Sequence, residues 1–268
     1  MAYDIIILAG QSNAEGSGKG NVKNPYIPSN AIWQIRDPQP LGYVKNEQGE
    51  DVLNVQEPWE FITEVASERT HDGELCGNFA FSFAQEYVKE GFLEEGRKVL
   101  IVNTAVGGAG FAKHHWGVGE VLQRRMMEMI DCALDLEEDP KIVAFLWHQG
   151  EHDAFENAQM SFEERHAFYK AKLTEFLTCF REKYHTKIPF IAGEFVSDWR
   201  SKNAETCQAV LDATAEVCKA DVNADMVSAN GLLSNDQDHG GGDDIHFCRE
   251  ALYEFGKRYF AVYKNMSK

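Results

Sequence analysis

The first ordered pattern in the chain is Asp4-Ile5-Ile6-Ile7-Leu8-Ala9-Gly10-Gln11-Ser12-Asn13. The apolar run Ile5-Ile6-Ile7-Leu8-Ala9 ends at a loop of Gly, Ser and Asn, which indicates a buried strand at Asp4–Leu8. The run is far too short for the apolar region of a signal peptide or for a membrane span. The small and hydroxyl-bearing residues that follow it stand where open α/β sheets bind ligands, just past the carboxyl end of a strand.

Similar apolar runs recur along the chain and alternate with segments of helical period. We predict four further strands, at Val99–Asn103, Ile142–His148, Ile188–Glu194 and Met226–Ala229. We predict helices at Asn78–Glu90, Val121–Leu136, Phe162–Tyr184, Ala204–Lys219 and Arg249–Tyr263. Short strands alternating with long helices predict an α/β fold, with a central, mainly parallel five-stranded sheet covered by helices on both faces.

Residues 16–71 lack this alternation of strands and helices. They hold five of the seven prolines and form an irregular insertion, in which we predict a small hairpin around residues 31–44. Such excursions near a strand end often build the wall of a pocket. Because no internal repeat or low-complexity segment divides the chain, we predict one domain over residues 1–268.

The composition limits the partners of the protein. The 268 residues carry a net charge of −17, from 26 basic and 43 acidic residues. This balance argues against nucleic acid and against an anionic membrane surface, because both require clustered Lys and Arg. The six cysteines form no C-x-x-C pair, which favours free thiols in a reducing compartment, although a disulfide between Cys207 and Cys218 stays open. With the short first run, this predicts a cytoplasmic protein; no feature specifies an oligomeric state.

Four loops carry reactive or hydrogen-bonding residues. Ser12 follows the first predicted strand, Gly107-Gly108 follows the second, and Gln149 ends the third. Before the last helix, Asp243 and His246 are three residues apart, so that one turn can present an imidazole whose other nitrogen bonds a carboxylate. Together these loops supply a nucleophile, a base with its orienting acid, and amide donors for an oxyanion.

Other motifs are absent or incomplete. Ser12 does not complete the G-x-S-x-G elbow, because Ala14 occupies its last position, and no phosphate-binding loop is matched. The pair His148 and His152 lacks the H-E-x-x-H pattern, because residue 149 is Gln. A metal-dependent hydrolase remains an alternative, with the candidate ligands His148, His152, Asp153, Asp238 and His239. A non-catalytic sugar-binding protein is another, and Asp244 is an alternative carboxylate for His246.

The blocks Gly10-Gln11-Ser12-Asn13, Gly107-Gly108, Trp147-His148-Gln149-Gly150-Glu151 and Asp243-x-x-His246 resemble those of the SGNH hydrolase superfamily. More narrowly, they are similar to its sialate O-acetylesterase and acetylxylan esterase branch, carbohydrate esterase family 6. The resemblance implies a three-layer α/β/α, flavodoxin-like fold. It also implies a serine esterase that removes O-acetyl groups from sugars of the sialic acid or xylo-oligosaccharide type, without a metal or an organic cofactor. A thioesterase or lipid esterase of the same superfamily is the main rival.

Carried over by position, the resemblance makes Ser12 the nucleophile, His246 the base and Asp243 its partner. The implied oxyanion donors are the Ser12 N–H, the Gly108 N–H and the Gln149 side chain. Gly108 is preferred to Gly107 because a small residue, here an alanine, follows the donor glycine. Substrate-binding or supporting roles are assigned to Gln11, Asn13, Glu151, His114 and His115.

Polar and aromatic groups near these loops are of the kind that suit polyol hydroxyls and sugar faces. The candidates for such contacts are His114, His115, Trp116, Trp147, Glu151 and Asp153. Core packing is the alternative for Trp147, and a solvated loop is the alternative for the run His114-His115-Trp116. Glu151 could equally orient Gln149 or the loop at Gly107-Gly108. A lipid acyl chain would instead require an apolar channel. The loops therefore favour an acetylated mono- or oligosaccharide as the substrate.

Overall fold

The computed structural model describes residues 2–38, 41–49, 51–55, 57–71, 73–156 and 159–267. The strands in these residues are β1 (Ala2–Gly10), β2 (Ile32–Arg36), β3 (Gly42–Lys45), β4 (Asp51–Asn54), β5 (Ile62–Val65), β6 (Arg69–His71), β7 (Glu74–Cys76), β8 (Arg97–Asn103), β9 (Lys141–His148), β10 (Phe190–Gly193) and β11 (Ala224–Val227). The helices are α1 (Ser12–Glu15), α2 (Phe79–Lys89), α3 (Val121–Asp135), α4 (Glu151–Phe155), α5 (Phe162–Tyr184), α6 (Ser197–Lys202), α7 (Ala204–Ala220), α8 (Asn235–His239) and α9 (Arg249–Met266).

Seven strands form one sheet in the order β11-β10-β9-β1-β8-β2-β5. All neighbours run parallel except β5, which is antiparallel to β2. β1 lies between β8 and β9, so the chain crosses from one side of β1 to the other. In open parallel sheets, ligands bind outside the carboxyl ends of the strands at such a crossing.

Helices cover both faces of the sheet because successive side chains of a buried strand point to opposite sides. On one face, Phe145 and Trp147 of β9 pack against Phe176 of α5. On the other face, His148 of the same strand contacts Phe79 of α2 and Phe255 of α9. The result is three layers, which confirms the predicted α/β/α architecture.

The carboxyl ends of β1 and β9 approach each other very closely at Gly10. A Cβ atom at this position would lie 1.9 Å from the carbonyl oxygen of His148, and the backbone has φ of +138°. Only glycine tolerates both conditions. The next residue, Gln11, donates its N–H to the same carbonyl over 3.0 Å. The loops after β1 and β9 therefore leave the sheet side by side.

The five predicted sheet strands and the five predicted helices are present, with ends that differ by a few residues. The predicted number of sheet strands is too low, because β2 and β5 of the 16–71 insertion extend the sheet beyond β8. The predicted hairpin at residues 31–44 is wrong. β2 pairs with β8 and β5, whereas β3 and β4 form the hairpin around a turn at Asn46–Gly49. Gln39 and Pro40, inside the predicted hairpin, lie outside the described residues.

A second short hairpin, β6 with β7, closes the insertion ahead of α2. Glu68 precedes it and ties the insertion to the last helix, because its carboxylate accepts hydrogen bonds from Arg249 and Tyr253 of α9. In the part of the chain that the structure describes, no helix combines the length and apolar character that crossing a membrane requires.

Candidate active site

Ser12 begins the short helix α1 at the carboxyl end of β1 and is 9% exposed. The preceding Gln11 has extended backbone and starts the helix, so the N–H of Ser12 lies at a helix N-terminus and has no partner among the described residues. An unpaired N–H at a helix start favours a negative charge beside it. The hydroxyl and the N–H of one residue are therefore both available at the edge of the sheet.

The hydroxyl of Ser12 lies 2.8 Å from Nε2 of His246. On the other side of the ring, Nδ1 of His246 lies 2.8 and 3.0 Å from the two carboxylate oxygens of Asp243. The structure thus brings together three residues that are up to 234 positions apart. With Nδ1–H donated to Asp243, Nε2 is the nitrogen that accepts a proton from the serine.

Asp243 is held in place by Asn235, a residue that the sequence reasoning missed. The Asn235 amide donates to Oδ2 of Asp243 over 2.8 Å, and the Asn235 N–H donates to the carbonyl of His246 over 2.8 Å. Partial burial acts to raise the pKa of Asp243, but the hydrogen bonds from His246 and Asn235 outweigh it and hold the pKa below its ordinary value. The signal for Asn235 was the capping box that Ser234 and Gln237 form around it.

The alternative carboxylate, Asp244, points elsewhere. It pairs with Lys202 of α6 over 2.7 Å. The sequence spacing of three residues, rather than two, therefore selects the carboxylate that meets the imidazole.

The loop after β8, residues 104–112, contains Gly107, Gly108 and Gly110 and is called the glycine loop here. It passes directly beside Ser12. A Cβ atom at Gly107 would lie 3.7 Å from the Cβ of Ser12. The Gly107 N–H donates to Oε2 of Glu15 over 2.8 Å, and Arg69 of the insertion pairs with the other oxygen of Glu15. The Gly108 N–H has no partner among the described residues. Of the two glycines, Gly108 therefore offers an unused donor, while that of Gly107 is occupied.

Gln149 lies at the end of β9 and its amide is buried among protein groups. Its Nε2 donates to Oδ2 of Asp153 over 2.6 Å, and lies 3.2 Å from the Ala109 carbonyl and 3.3 Å from Oε1 of Gln11. One amide hydrogen thus forms a short hydrogen bond to Asp153, and the other is shared between two acceptors at longer distances. The oxyanion role of Gln149 stays a prediction, because this second hydrogen has to leave those acceptors to reach a substrate.

Asp153 connects this amide to the glycine loop. Its two oxygens accept hydrogen bonds from the N–H groups of Phe111 and Ala112, over 3.1 and 2.7 Å, in addition to the bond from Gln149. Burial dominates these bonds and raises the pKa of Asp153 to about 6. The predicted sugar contact of Asp153 is therefore wrong, because its side chain is directed inward and the residue is 2% exposed.

Asn13 and Glu151 form a buried link behind the histidine. The Asn13 amide donates to Glu151 over 2.7 Å and to the Ile245 carbonyl, while its oxygen accepts the N–H of Phe247. These bonds fix the residues on both sides of His246. Burial acts to raise the pKa of Glu151, but His148 and Asn13 more than offset it, so that the pKa is lowered. Both side chains support the site from within, and neither faces a substrate.

The remaining predicted site residues, Gln11, His115 and His114, occupy different environments. Oε1 of Gln11 accepts the N–H groups of Gly150 and His152 and so anchors the start of α4. His115 is buried beneath the glycine loop, and burial, followed by the charge of Lys113 and by the neighbouring histidines His152 and His114, lowers its pKa to about 4. His114 is exposed and pairs with Glu120. Of the three, His114 is the one that projects into solvent near the loop.

Trp116 and Trp147 do not contact a sugar, and the alternative of core packing holds for Trp147. Both rings are fully buried and pack against each other with centroids 5.4 Å apart, and both contact Phe176 of α5. The candidate metal ligands are dispersed into separate pairs. His148 approaches Glu151, His152 binds Glu156, and Asp238 contacts His239. Among the described residues, no cluster of three or more His, Cys, Asp or Glu side chains is arranged to hold a metal.

A cavity of about 380 Å³ adjoins the glycine loop. It is bounded by Glu15, by Ala105 and Val106 ahead of Gly107, and by residues of the insertion. Arg125 of α3 also lines it and is only 4% exposed. One guanidinium nitrogen of Arg125 lies 3.3 Å from Asp37, but Nε and Nη1 have no hydrogen-bond partner among the described residues.

A family model for carbohydrate esterases of the sialic acid-specific acetylesterase type matches residues 2–265. The chain belongs to this family. The protein is therefore a carbohydrate O-acetylesterase, as the family resemblance implied. A comparison with curated proteins gave no match.

Solved structures resemble the esterase in fold. NanS is 17% identical with a TM-score of 0.72, and the match covers 99% of this chain and 97% of NanS. A protein from Arabidopsis thaliana is 19% identical with a TM-score of 0.66, over 98% of both chains. A novel carbohydrate acetylesterase from Xanthomonas citri is 14% identical with a TM-score of 0.62, and the match covers 98% of this chain but 56% of that protein.

Proposed function

We propose that the esterase hydrolyses acetyl esters of acidic sugars by a serine mechanism in which Ser12, His246 and Asp243 form the catalytic triad. The observation that carries the mechanism is the continuous hydrogen-bonded line from Ser12 Oγ through the His246 ring to Asp243. His246 takes the Ser12 proton as Oγ attacks the acetyl carbonyl carbon. The Ser12 and Gly108 N–H groups stabilise the resulting oxyanion.

The reaction then completes in two further steps. The tetrahedral intermediate collapses, the sugar oxygen leaves with the proton from His246, and an acetyl group remains on Ser12. Water, deprotonated by His246, attacks that acetyl group; the bond to Ser12 Oγ breaks, His246 returns the proton to Ser12, and acetate is released. Each oxyanion donor in such a site contributes a factor of about 10²–10³ to turnover.

A covalent probe tests the mechanism. We expect a fluorophosphonate to label the wild-type protein at a single serine, identified as Ser12 by peptide mass spectrometry. His246→Asn should slow the labelling by about a thousandfold or more, because the hydroxyl loses its base. Labelling at another serine, or labelling that His246→Asn leaves unchanged, would exclude this triad.

The acidic substrate is supported by Arg125. A buried guanidinium with two unused nitrogens beside the glycine loop can bind a carboxylate through charge-assisted hydrogen bonds. The family name points to sialic acid, a sugar that carries such a group. A neutral acetylated xylo-oligosaccharide offers no charge for Arg125 to bind.

Arg125→Met tests this assignment. We expect KM for an O-acetylated sialic acid to rise by about tenfold or more, since a charge-assisted contact is lost, while hydrolysis of a neutral acetylated xylo-oligosaccharide changes little. Arg36→Met is the matched control, because Arg36 lines the same cavity but uses all three guanidinium nitrogens in hydrogen bonds to Glu64 and to the Asp37 carbonyl. Equal losses on both sugars would refute a carboxylate site at Arg125.

We also propose a cytoplasmic location. All six cysteines are free thiols, which suits a reducing compartment. Fractionation of the native host tests the proposal, and recovery of the protein in the medium would refute it.

A further inference from the structure

The peptide group between Gly107 and Gly108 carries the unused N–H donor beside Ser12. Two consecutive glycines have no Cβ atoms to restrict their dihedral angles, so this peptide can rotate more easily than any other in the loop. Rotation by half a turn would replace the N–H with a carbonyl oxygen, which would repel an oxyanion. The orientation of the peptide must therefore be set by contacts from outside the loop.

The structure provides these contacts at both ends of Gly107. Its N–H donates to Oε2 of Glu15 over 2.8 Å. Its carbonyl accepts the hydroxyl of Tyr43 over 3.1 Å. The Gly107 carbonyl and the Gly108 N–H belong to the same peptide group, so the hydroxyl of Tyr43 fixes the direction of the N–H on its opposite side.

Tyr43 is suited to this contact by its position. It projects from the β3–β4 hairpin of the insertion and lies over Gly108, where a Cβ atom would approach its hydroxyl to 3.3 Å. Lys113 Nζ lies 5.6 Å from the centre of its ring. Burial, followed by the charges of Glu15 and Asp51, raises the pKa of Tyr43 to about 12. The phenol therefore stays protonated and remains a donor at neutral pH.

We propose that Tyr43 is a positioning residue, which holds the Gly107–Gly108 peptide so that the Gly108 N–H faces the developing oxyanion. A hydrogen bond accepted by a peptide carbonyl also polarises that peptide and strengthens its N–H as a donor. The inference rests on the proposed serine mechanism. It assigns to the insertion a part in the chemical step, in addition to its part in forming the cavity.

Tyr43→Phe removes the hydroxyl and keeps the ring. We expect kcat for an acetyl ester to fall about threefold to tenfold, the range for one lost hydrogen bond, with KM within about twofold of wild type. The inhibition constant of trifluoroacetone should rise by the same factor. This ketone forms a hemiketal with the serine hydroxyl, and its oxygen takes the place of the oxyanion.

Val44→Ala is the matched control, because Val44 is the next residue of the same strand and is 45% exposed. It should keep wild-type kcat and wild-type inhibition by trifluoroacetone. Wild-type kcat and trifluoroacetone inhibition in Tyr43→Phe would overturn the inference, as would a change confined to KM. Failure of the proposed function itself is distinguished by Ser12→Ala, which would then retain turnover whatever the result at Tyr43.

Discussion

Asp153 is a buried carboxylate that links two parts of the candidate active site. Its donors come from the amide of Gln149 at the end of β9 and from the N–H groups of Phe111 and Ala112 in the glycine loop. An ionised carboxylate can accept all three bonds, whereas a protonated one must turn a hydrogen toward a donor. The site therefore requires the charged form, although burial opposes it.

Asp153 should make folding stability depend on pH. Its pKa is about 6 in the folded protein, against an ordinary value of 3.8 that applies to the unfolded chain, so between these values the folded state binds the proton more tightly. Stability from this group is therefore present below about pH 4 and is lost as pH rises through 6. Relative to Asp153→Asn, the wild type should lose up to about 3 kcal/mol of unfolding free energy between about pH 4 and pH 7.

Urea unfolding of both proteins at several pH values measures this difference. Because the comparison is between two otherwise identical chains, the other titrating groups cancel. A difference in unfolding free energy that stays constant with pH would show that Asp153 does not titrate in this range.

The roles of individual residues were predictable to different degrees. That Ser12, Asp243 and His246 lie together could be predicted, because a strand end and a short loop spacing place them locally. Their catalytic roles stay a prediction. The contact of Tyr43 could not be predicted, because it joins residues 64 positions apart. For Asn235, the capping box of Ser234 and Gln237 indicates a helix start but not the hydrogen bond to Asp243. The sequence indicated that Asp153 lies near the site. It did not indicate that the side chain is buried and points away from a substrate.

Among the elements, the junction of β1 and β9 is the most constrained. The carbonyl of His148 occupies the space where a side chain at residue 10 would begin. This contact sets the direction in which the chain leaves the sheet toward Ser12. The structure of the insertion, in contrast, is not determined by a local contact of this kind. Its strands are short, and nothing local distinguishes β2, which joins the sheet edge, from β3, which forms a separate hairpin.

Gly10→Ala should therefore destabilise the protein by more than about 3 kcal/mol, through a clash with backbone and an unfavourable dihedral angle. Gly91→Ala is the matched control. Gly91 also has a positive φ, of +78°, but no atom lies within 4 Å of its Cβ position. It should cost only about 1–2 kcal/mol, the strain of the backbone alone.

Thermal and urea unfolding compare the two variants. Equal destabilisation would mean that backbone strain, rather than the approach of β1 to His148, accounts for the requirement at residue 10.

At the scale of the whole molecule, the site combines loops from the sheet with an insertion that folds across them. The α/β architecture was predictable because the alternation of apolar strands and long helices repeats along most of the chain. The seven-stranded sheet and the cavity at Arg125 were not, since both depend on where residues 16–71 pack. Glu68, paired with Arg249 and Tyr253, fastens that insertion to the last helix.

The most direct test of the account is hydrolysis of 4-nitrophenyl acetate, butyrate and octanoate by the wild type and by Ser12→Ala. We predict activity that favours the acetate and falls by at least about a thousandfold in the variant, with unchanged melting temperature. Turnover that survives in a folded Ser12→Ala protein would contradict the assignment of Ser12 as the nucleophile and, with it, the proposed mechanism.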